Sequence, residues 1–203
     1  MVNVRGCGSY LPLYRIERET IADQHGGYAR GGEVSVPAHD EGVVSLGVGA
    51  AKNAIEHAGI EGANLDAVYA ASTSDPFDER GIAPHVASAV GADGDVAVAD
   101  FQGSARAATS AVLSAVDAIE GGRAEDALVV ATDVRQADAG TSAEQTAGAG
   151  AAALVLGADG DVASIDGSGT NTTGFVGRFQ PAGGSPVPGD GRFNRERYVE
   201  AVT

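Results

Sequence analysis

The sequence predicts an α/β fold built on a mainly parallel mixed sheet with helices on both faces. Three observations carry this. From residue 41 to residue 132 short apolar strands alternate with amphipathic helices, the pattern of right-handed βαβ units. Ala127–Thr132 is an unbroken apolar run, as expected of a strand covered on both sides. The stretch 96–126 passes from a strand, Val96–Phe101, through Gly103-Ser104-Ala105 straight into a long helix.

The elements follow in order. Val2–Tyr10 alternates apolar and small residues and reads as a strand, broken at Leu11-Pro12. Glu19–His25 is a short helix stopped by Gly26-Gly27, and Gly31–His39 is loop. A helix runs from its N-cap, Asp40, to His57, with Val44, Val48, Ala51 and Ile55 at helical spacing and Gly59 as the stop. Ala67–Ser72 is a short buried strand, Ile82–Val90 a helix and Gly91–Asp95 a turn. The helix Arg106–Gly121 carries Ala108, Val112, Ala115, Val116 and Ile119 as its apolar stripe. Ala151–Leu156 is a strand, and the turn Asp159-Gly160-Asp161 leads into Val162–Ile165 as an antiparallel hairpin. After Gly167 the pattern dissolves: Gly183–Arg192 reads as a Gly- and Pro-rich linker, Arg195–Thr203 as the first turns of a helix without a stop signal. The reading therefore expects one domain over residues 1–166, then a loop-rich extension over 167–203 leading toward a second half.

Composition narrows the function. The chain has 203 residues, 28 acidic against 13 basic, for a net charge of −15. That charge argues against nucleic acid or an anionic membrane as partner. Twelve arginines stand against the single Lys52, a balance expected in a salt-rich cytosol, where hydrated carboxylates stay soluble and their repulsion is screened. The charge then describes habitat rather than substrate. A lone cysteine fits a reducing cytoplasm, and Cys7, inside an apolar strand, reads as a small buried core residue. No apolar run reaches membrane-spanning length, and His25, His39, His57 and His85 lack metal-ligand spacing. Gly148-Ala149-Gly150 and Gly6-Cys7-Gly8 read as close backbone packing rather than nucleotide loops, since neither sits in a phosphate-binding pattern. His39 beside Asp40 and Glu41 reads as an acidic helix start.

The chemically suggestive place is the strand–turn–helix at 96–126. A strand that stops at a helix start sets side chains at the positive end of the helix dipole, where a nucleophile or an oxyanion is best stabilised. Here the turn holds Ser104 and Ala105, and no cysteine.

Several strings, in order, resemble the N-terminal half of the thiolase superfamily, and within it archaeal-type hydroxymethylglutaryl-CoA synthase, with ketoacyl synthase III close behind. They are Gly8-Ser-Tyr-Leu-Pro-Leu-Tyr-Arg-Ile16, Ser35-Val-Pro-Ala-His-Asp-Glu41, Ala50-Ala-Lys-Asn-Ala-Ile55 and Ser72-Thr-Ser-Asp-Pro-Phe77. Further on come Ala99-Asp-Phe101, Ala131-Thr-Asp133, Glu144-Gln-Thr-Ala-Gly-Ala-Gly-Ala-Ala152 and Gly191-Arg-Phe193. The resemblance implies one βαβαβαββ half of a two-half subunit. It also implies acyl-CoA as ligand, no further cofactor, and C–C-condensing acyl transfer on the mevalonate route to isoprenoids. In that family a cysteine takes the acetyl group, a glutamate acts as general acid/base, and a histidine of the second half helps bind the acceptor.

Carried over position by position, the cysteine falls on Ala105 and the glutamate on Thr73. A methyl group cannot carry an acyl intermediate, and threonine is no base at neutral pH. Ser104 is a displaced substitute nucleophile, Asp75 and Glu79 are displaced carboxylates, and Arg106 is a candidate contact for a CoA phosphate or thioester carbonyl. Three functions follow: a silent half that binds acyl-CoA or assembles with another chain, an active transferase with a relocated site, or an interaction scaffold. The expected partners are a second copy, a second thiolase-like half, an acetoacetyl-CoA thiolase, or the small zinc-ribbon/OB-fold protein that accompanies archaeal members.

Overall fold

The computed structural model describes residues 1–135, 137–141, 143–172, 179 and 189–202, with side chains through residue 200. The chain divides into two compact units, Met1–Asp166 and Gly167–Thr203.

The first unit runs β1 (Val2–Tyr10), β2 (Tyr14–Glu17), α1 (Arg18–His25), β3 (Glu33–Val36), α2 (Val43–Ala58), β4 (Ala67–Ala71) and α3 (Ala83–Val90). It continues with β5 (Ala97–Phe101), α4 (Ala107–Glu120), β6 (Asp126–Val134), β7 (Ala149–Gly157) and β8 (Ala163–Ile165). The main sheet has the order β5-β4-β6-β7-β1-β8. β4 is parallel to β5 and β6, while β7 is antiparallel to both β6 and β1, so β1, β4, β5 and β6 all point one way. Setting aside the small β2–β3 sheet and the α1 helix between its strands, the order up to β7 is βαβαβαββ.

Each face of the sheet has its own core. On one side α2 and α3 lay Leu46, Ala50, Ala54, Ile82 and Val86 against Val68, Leu128, Val130 and Val155. On the other, Ala107, Ala111, Ala115 and Ala118 of α4 cover Ala67, Ala127, Val129 and Leu156. β6 is buried from Asp126 through Val130 because it supplies both cores, which explains its unbroken apolar run. Thr132, the one hydroxyl in that stretch, is buried and donates to the Val43 carbonyl at 2.6 Å, tying the start of α2 to the sheet.

β1 changes faces midway. Its register against β7 slips between Val4 and Gly6, a bulge that leaves Val2 and Val4 on the α4 side and turns Gly6 and Gly8 toward α2. The two glycines let α2 lie directly on the strand, which matches their reading as packing residues.

The structure corrects several expectations. Asp40 is not the N-cap of α2; that position belongs to Gly42, whose N–H donates to Ser45 Oγ at 2.8 Å. Residues 31–39 are not all loop, since β3 pairs antiparallel with β2. β8 is no hairpin partner of β7: it pairs with β1, and Gly160 crosses beside Val4 and Arg5 on the way. Cys7 is exposed rather than buried, because β8 accompanies β1 only over Val2–Val4 and leaves the outer side of Cys7 open.

A carboxylate in the sheet caps a helix. Asp100 of β5 accepts hydrogen bonds from the backbone N–H groups of Ile82 (2.6 Å) and Ala83 (3.0 Å) at the start of α3. Asp100→Ala is expected to cost about 1–2 kcal/mol, the usual loss of an N-cap with its dipole contribution. A urea melt at molar salt reads this directly, and an unshifted midpoint would show the contact to be idle.

The second unit holds α5 (Gly191–Val202), which begins where the expected linker was still running. Asp190 Oδ1 accepts the N–H groups of Arg192 and Phe193, a cap invisible to a hydrophobic pattern. Residues 183–188 of that linker lie outside the described residues. No helix of the described residues is long and apolar enough to cross a membrane, and no group of three or more potential metal ligands occurs among them.

Candidate functional site

The parallel strands β4, β5 and β6 finish side by side, and their carboxyl ends gather the predicted residues. After β5 the chain turns at Gly103 (φ +71°), and Ser104 carbonyl accepts Ala107 N–H at 3.0 Å to start α4. Ser104, Ala105 and Arg106 are all exposed. Ser104 Oγ accepts Arg106 N–H at 3.3 Å and, among the described residues, has no histidine or carboxylate within hydrogen-bond reach. Arg106 is the N-cap of α4, and its guanidinium has no acid partner among the described residues. Ala105 presents only a methyl group at the turn.

Thr73 is held in a compact polar knot after β4. Asp133, near the end of β6, accepts from Ser72 Oγ (3.1 Å), Thr73 N–H (2.7 Å), Thr73 Oγ1 (3.1 Å) and Ser74 Oγ (2.8 Å) on its Oδ1. Thr73 Oγ1 also lies 3.1 Å from Oδ2, and Arg135 donates to it at 2.9 Å. Ser74 Oγ in turn accepts Val134 N–H at 2.9 Å. The Ser72-Thr73-Ser74 loop is thus stitched to β6 chiefly through one crowded carboxylate oxygen, Asp133 Oδ1. The hydroxyl of Thr73 donates to an anion and accepts from a cation, and a neutral alcohol held this way is no general base at neutral pH.

The two loops meet through Asp75, which accepts Phe77 N–H at 3.1 Å on one oxygen and Gln102 Nε2 on the other. Asp75 therefore joins the Thr73 loop to the turn before Ala105. Glu79 stays exposed, outside this network. Asp133, Arg135 and Gln102 were missed in the sequence. The available signal was Asp133 itself, a charge closing an otherwise apolar strand.

Other singled-out residues lie elsewhere. Cys7 Sγ is 3.5 Å from His57 Nδ1, which also lies 3.1 Å from Cys7 N. His39 is exposed, while Glu41 accepts the Tyr10 hydroxyl (2.9 Å) and Ala38 N–H (2.7 Å). That hydrogen bond, with the Glu41 charge behind it, raises the Tyr10 phenol above its ordinary value. Gly148 and Gly150 fit closely beside Ser35 and Leu11, in keeping with packing.

A cleft of about 350 Å³ opens between α1 and Gly140, Thr141 and Gln145. Ile21 and Ala22 form its floor, with His25, Tyr28, Arg30 and Gln145 around it. Gln145, nearly buried, fixes the rim by accepting Arg30 N–H (3.0 Å) and donating to the Tyr28 carbonyl (3.1 Å). His25 Nε2 lies 3.7 Å from Glu144.

Comparison with known proteins places this arrangement. The chain is 32% identical over 203 residues to the hydroxymethylglutaryl-CoA synthase of Methanobrevibacter smithii, covering 97% of this chain and 59% of that one. It is 35% identical over 179 residues to the enzyme of the same name from Methanopyrus kandleri, covering 85% and 51%. Among solved structures, MvaS in complex with 3-hydroxy-3-methylglutaryl coenzyme A superposes with a TM-score of 0.84 at 22% identity, over 98% of this chain and 50% of that one. That last likeness speaks for the fold alone. No model of a protein family matches the chain. The chain spans about half the length of the curated relatives it matches.

Proposed function

Because this chain belongs to the hydroxymethylglutaryl-CoA synthase family and carries one half of its thiolase-like fold, we propose that it is a catalytically silent half that binds acyl-CoA and assembles with a second chain. The observation that carries the reading is the pairing of Ala105 at the turn with Thr73 tied to Asp133 and Arg135. Both positions at which the family resemblance puts reactive groups hold side chains without the needed chemistry, and a single loss would weigh less. Ser104 does not rescue the site, since a serine nucleophile needs a base in reach.

Ligand binding draws support from the cleft beside Arg30 and His25, the basic groups at its rim in a strongly acidic chain. Assembly draws support from α4, whose Val112, Val116 and Ile119 are only partly covered by the sheet on which the helix lies. The partner is a second copy or another thiolase-like chain, in the salt-rich archaeal cytoplasm that the acid excess suits.

Two measurements test this. Incubation with labelled acetyl-CoA and intact-mass analysis is expected to leave the protein unmodified, and an adduct on Ser104 or Cys7 would overturn silence in favour of a relocated transferase. Calorimetry with acetyl-CoA at molar salt is expected to give binding heat. Its absence, together with no thermal shift, would favour a scaffold that has lost the ligand as well.

A further inference from the structure

One wall of the cleft is a loop, residues 26–32, that is fastened at both ends. Gly27 N–H donates to the Ala22 carbonyl at 2.9 Å. At the far end Arg18 donates through its N–H to the Gly32 carbonyl at 3.0 Å and through its guanidinium to that of Gly31 at 2.8 Å. Between these anchors the Tyr28 carbonyl and the Arg30 N–H both meet one side chain, Gln145, more than a hundred residues further along the chain.

Chemistry fixes how that side chain is used. A carbonyl only accepts and a backbone N–H only donates, so the Gln145 carboxamide has one orientation, Nε2 on Tyr28 (3.1 Å) and Oε1 on Arg30 (3.0 Å). Bonds to the carbonyl of one residue and the N–H of the next but one are those that a residue of a neighbouring parallel strand makes. The carboxamide stands in for that strand. It is held in place itself: Gln145 is only 7% exposed, in a turn closed by Ala147 N–H on the Ala143 carbonyl at 2.7 Å, just ahead of β7. The residues it fastens line the cleft, Tyr28 with 91% of its surface exposed and Arg30 with the charge. A loop ordered in advance spares the ligand the entropy of ordering it.

We propose that Gln145 is the positioning residue of the cleft, holding Tyr28 and Arg30 in the arrangement that receives the ligand. The inference rests on the reading of this cleft as the acyl-CoA site.

The full chain at molar salt tests it, with amide exchange at Arg30 and acetyl-CoA calorimetry as separate readouts. Gln145→Met keeps the shape and loses both bonds. It is expected to speed Arg30 exchange and weaken acetyl-CoA binding by about tenfold or more each, with wild-type circular dichroism. Gln145→Glu turns an ionised oxygen on the Tyr28 carbonyl, but once protonated it donates there as the carboxamide does. Its deficit relative to wild type is therefore expected at about pH 8 and to shrink at about pH 5, whereas that of Gln145→Met stays. His25, Arg30 and Glu144 are common to all three proteins, so the ratio to wild type cancels their own charge changes. Wild-type exchange or wild-type affinity in Gln145→Met, or a Gln145→Glu deficit equal at both pH values, would each overturn the proposal. A wild type that gives no heat would overturn the acyl-CoA reading instead, and faster Arg30 exchange in Gln145→Met would still establish the clamp.

Discussion

Gly8→Val is expected to leave the chain unable to fold, with Gly6→Val close behind. A Cβ on Gly6 would sit 2.5 Å from the Ala54 carbonyl oxygen and the Ala58 nitrogen, and one on Gly8 would overlap Ala50 and Ala54 backbone in the same way. These are backbone atoms of α2, so no side chain can turn aside to make room. Relief would require lifting α2 from β1, yet β1 is zipped to β7 and α2 is anchored through Ala50, Ala54 and the Thr132–Val43 bond. Overpacking of even a methylene or two costs about 1–3 kcal/mol, and two branched methyls against rigid backbone cost more. Set against a total stability of roughly 5–15 kcal/mol, that is disabling. Gly8→Ala is expected to fold with a loss of about 3 kcal/mol. Circular dichroism melts at molar salt decide it, and a wild-type melt for Gly8→Val would show that the helix does not lie where described.

The second large effect is expected at Arg5. It occupies the bulge of β1 and grips both oxygens of Asp126 at 2.6 and 2.7 Å, with only 12% of the Asp126 side chain exposed. Gly157 makes room for this contact, since a Cβ there would meet both partners. Asp159, 3.4 Å from Arg5 Nε but 84% exposed, adds little. Arg5→Ala strands the Asp126 carboxylate with no cation, and is expected to cost about 2–3 kcal/mol. Arg5→Ala/Asp126→Asn, which removes the stranded charge as well, is expected to recover part of that loss. Urea melts of the two proteins compare them, and a double variant no more stable than the single would mean the charge is not what hurts.

The helices and central strands were legible because each announces itself locally. The α4 stripe, the Gly59 stop and the unbroken Ala127–Thr132 run are short-range patterns with direct physical causes. What escaped was decided at a distance. The turn Asp159-Gly160-Asp161 states that the chain bends but not which strand it joins, and its partner proved to be β1 at the opposite end of the sequence. The bulge at Arg5 has no local signature, so the exposure of Cys7 could not be foreseen. Tyr14-Arg15-Ile16-Glu17 shows no alternation of burial that would mark it as a strand. The site divided in the same way. Ala105 and Thr73 were placed by string resemblance, whereas Asp133 and Arg135 reach Thr73 from some 60 residues away and became visible only with the sheet assembled.

The β1–β7 pairing also sets a schedule. Cys7 stands in register with Leu154, so the first strand synthesised waits for nearly the last strand of the sheet. At ribosomal rates of roughly 5–20 residues per second, β1 spends on the order of ten seconds or more outside the ribosome without its partner. During that interval its two packing glycines can rest on α2, which emerges within the next 50 residues, while Val2 and Val4 on the other face wait for α4. The close fit of Gly6 and Gly8 under α2 then serves as an early shelter for a strand whose own sheet does not yet exist. Biogenesis, not only stability, hangs on two missing side chains.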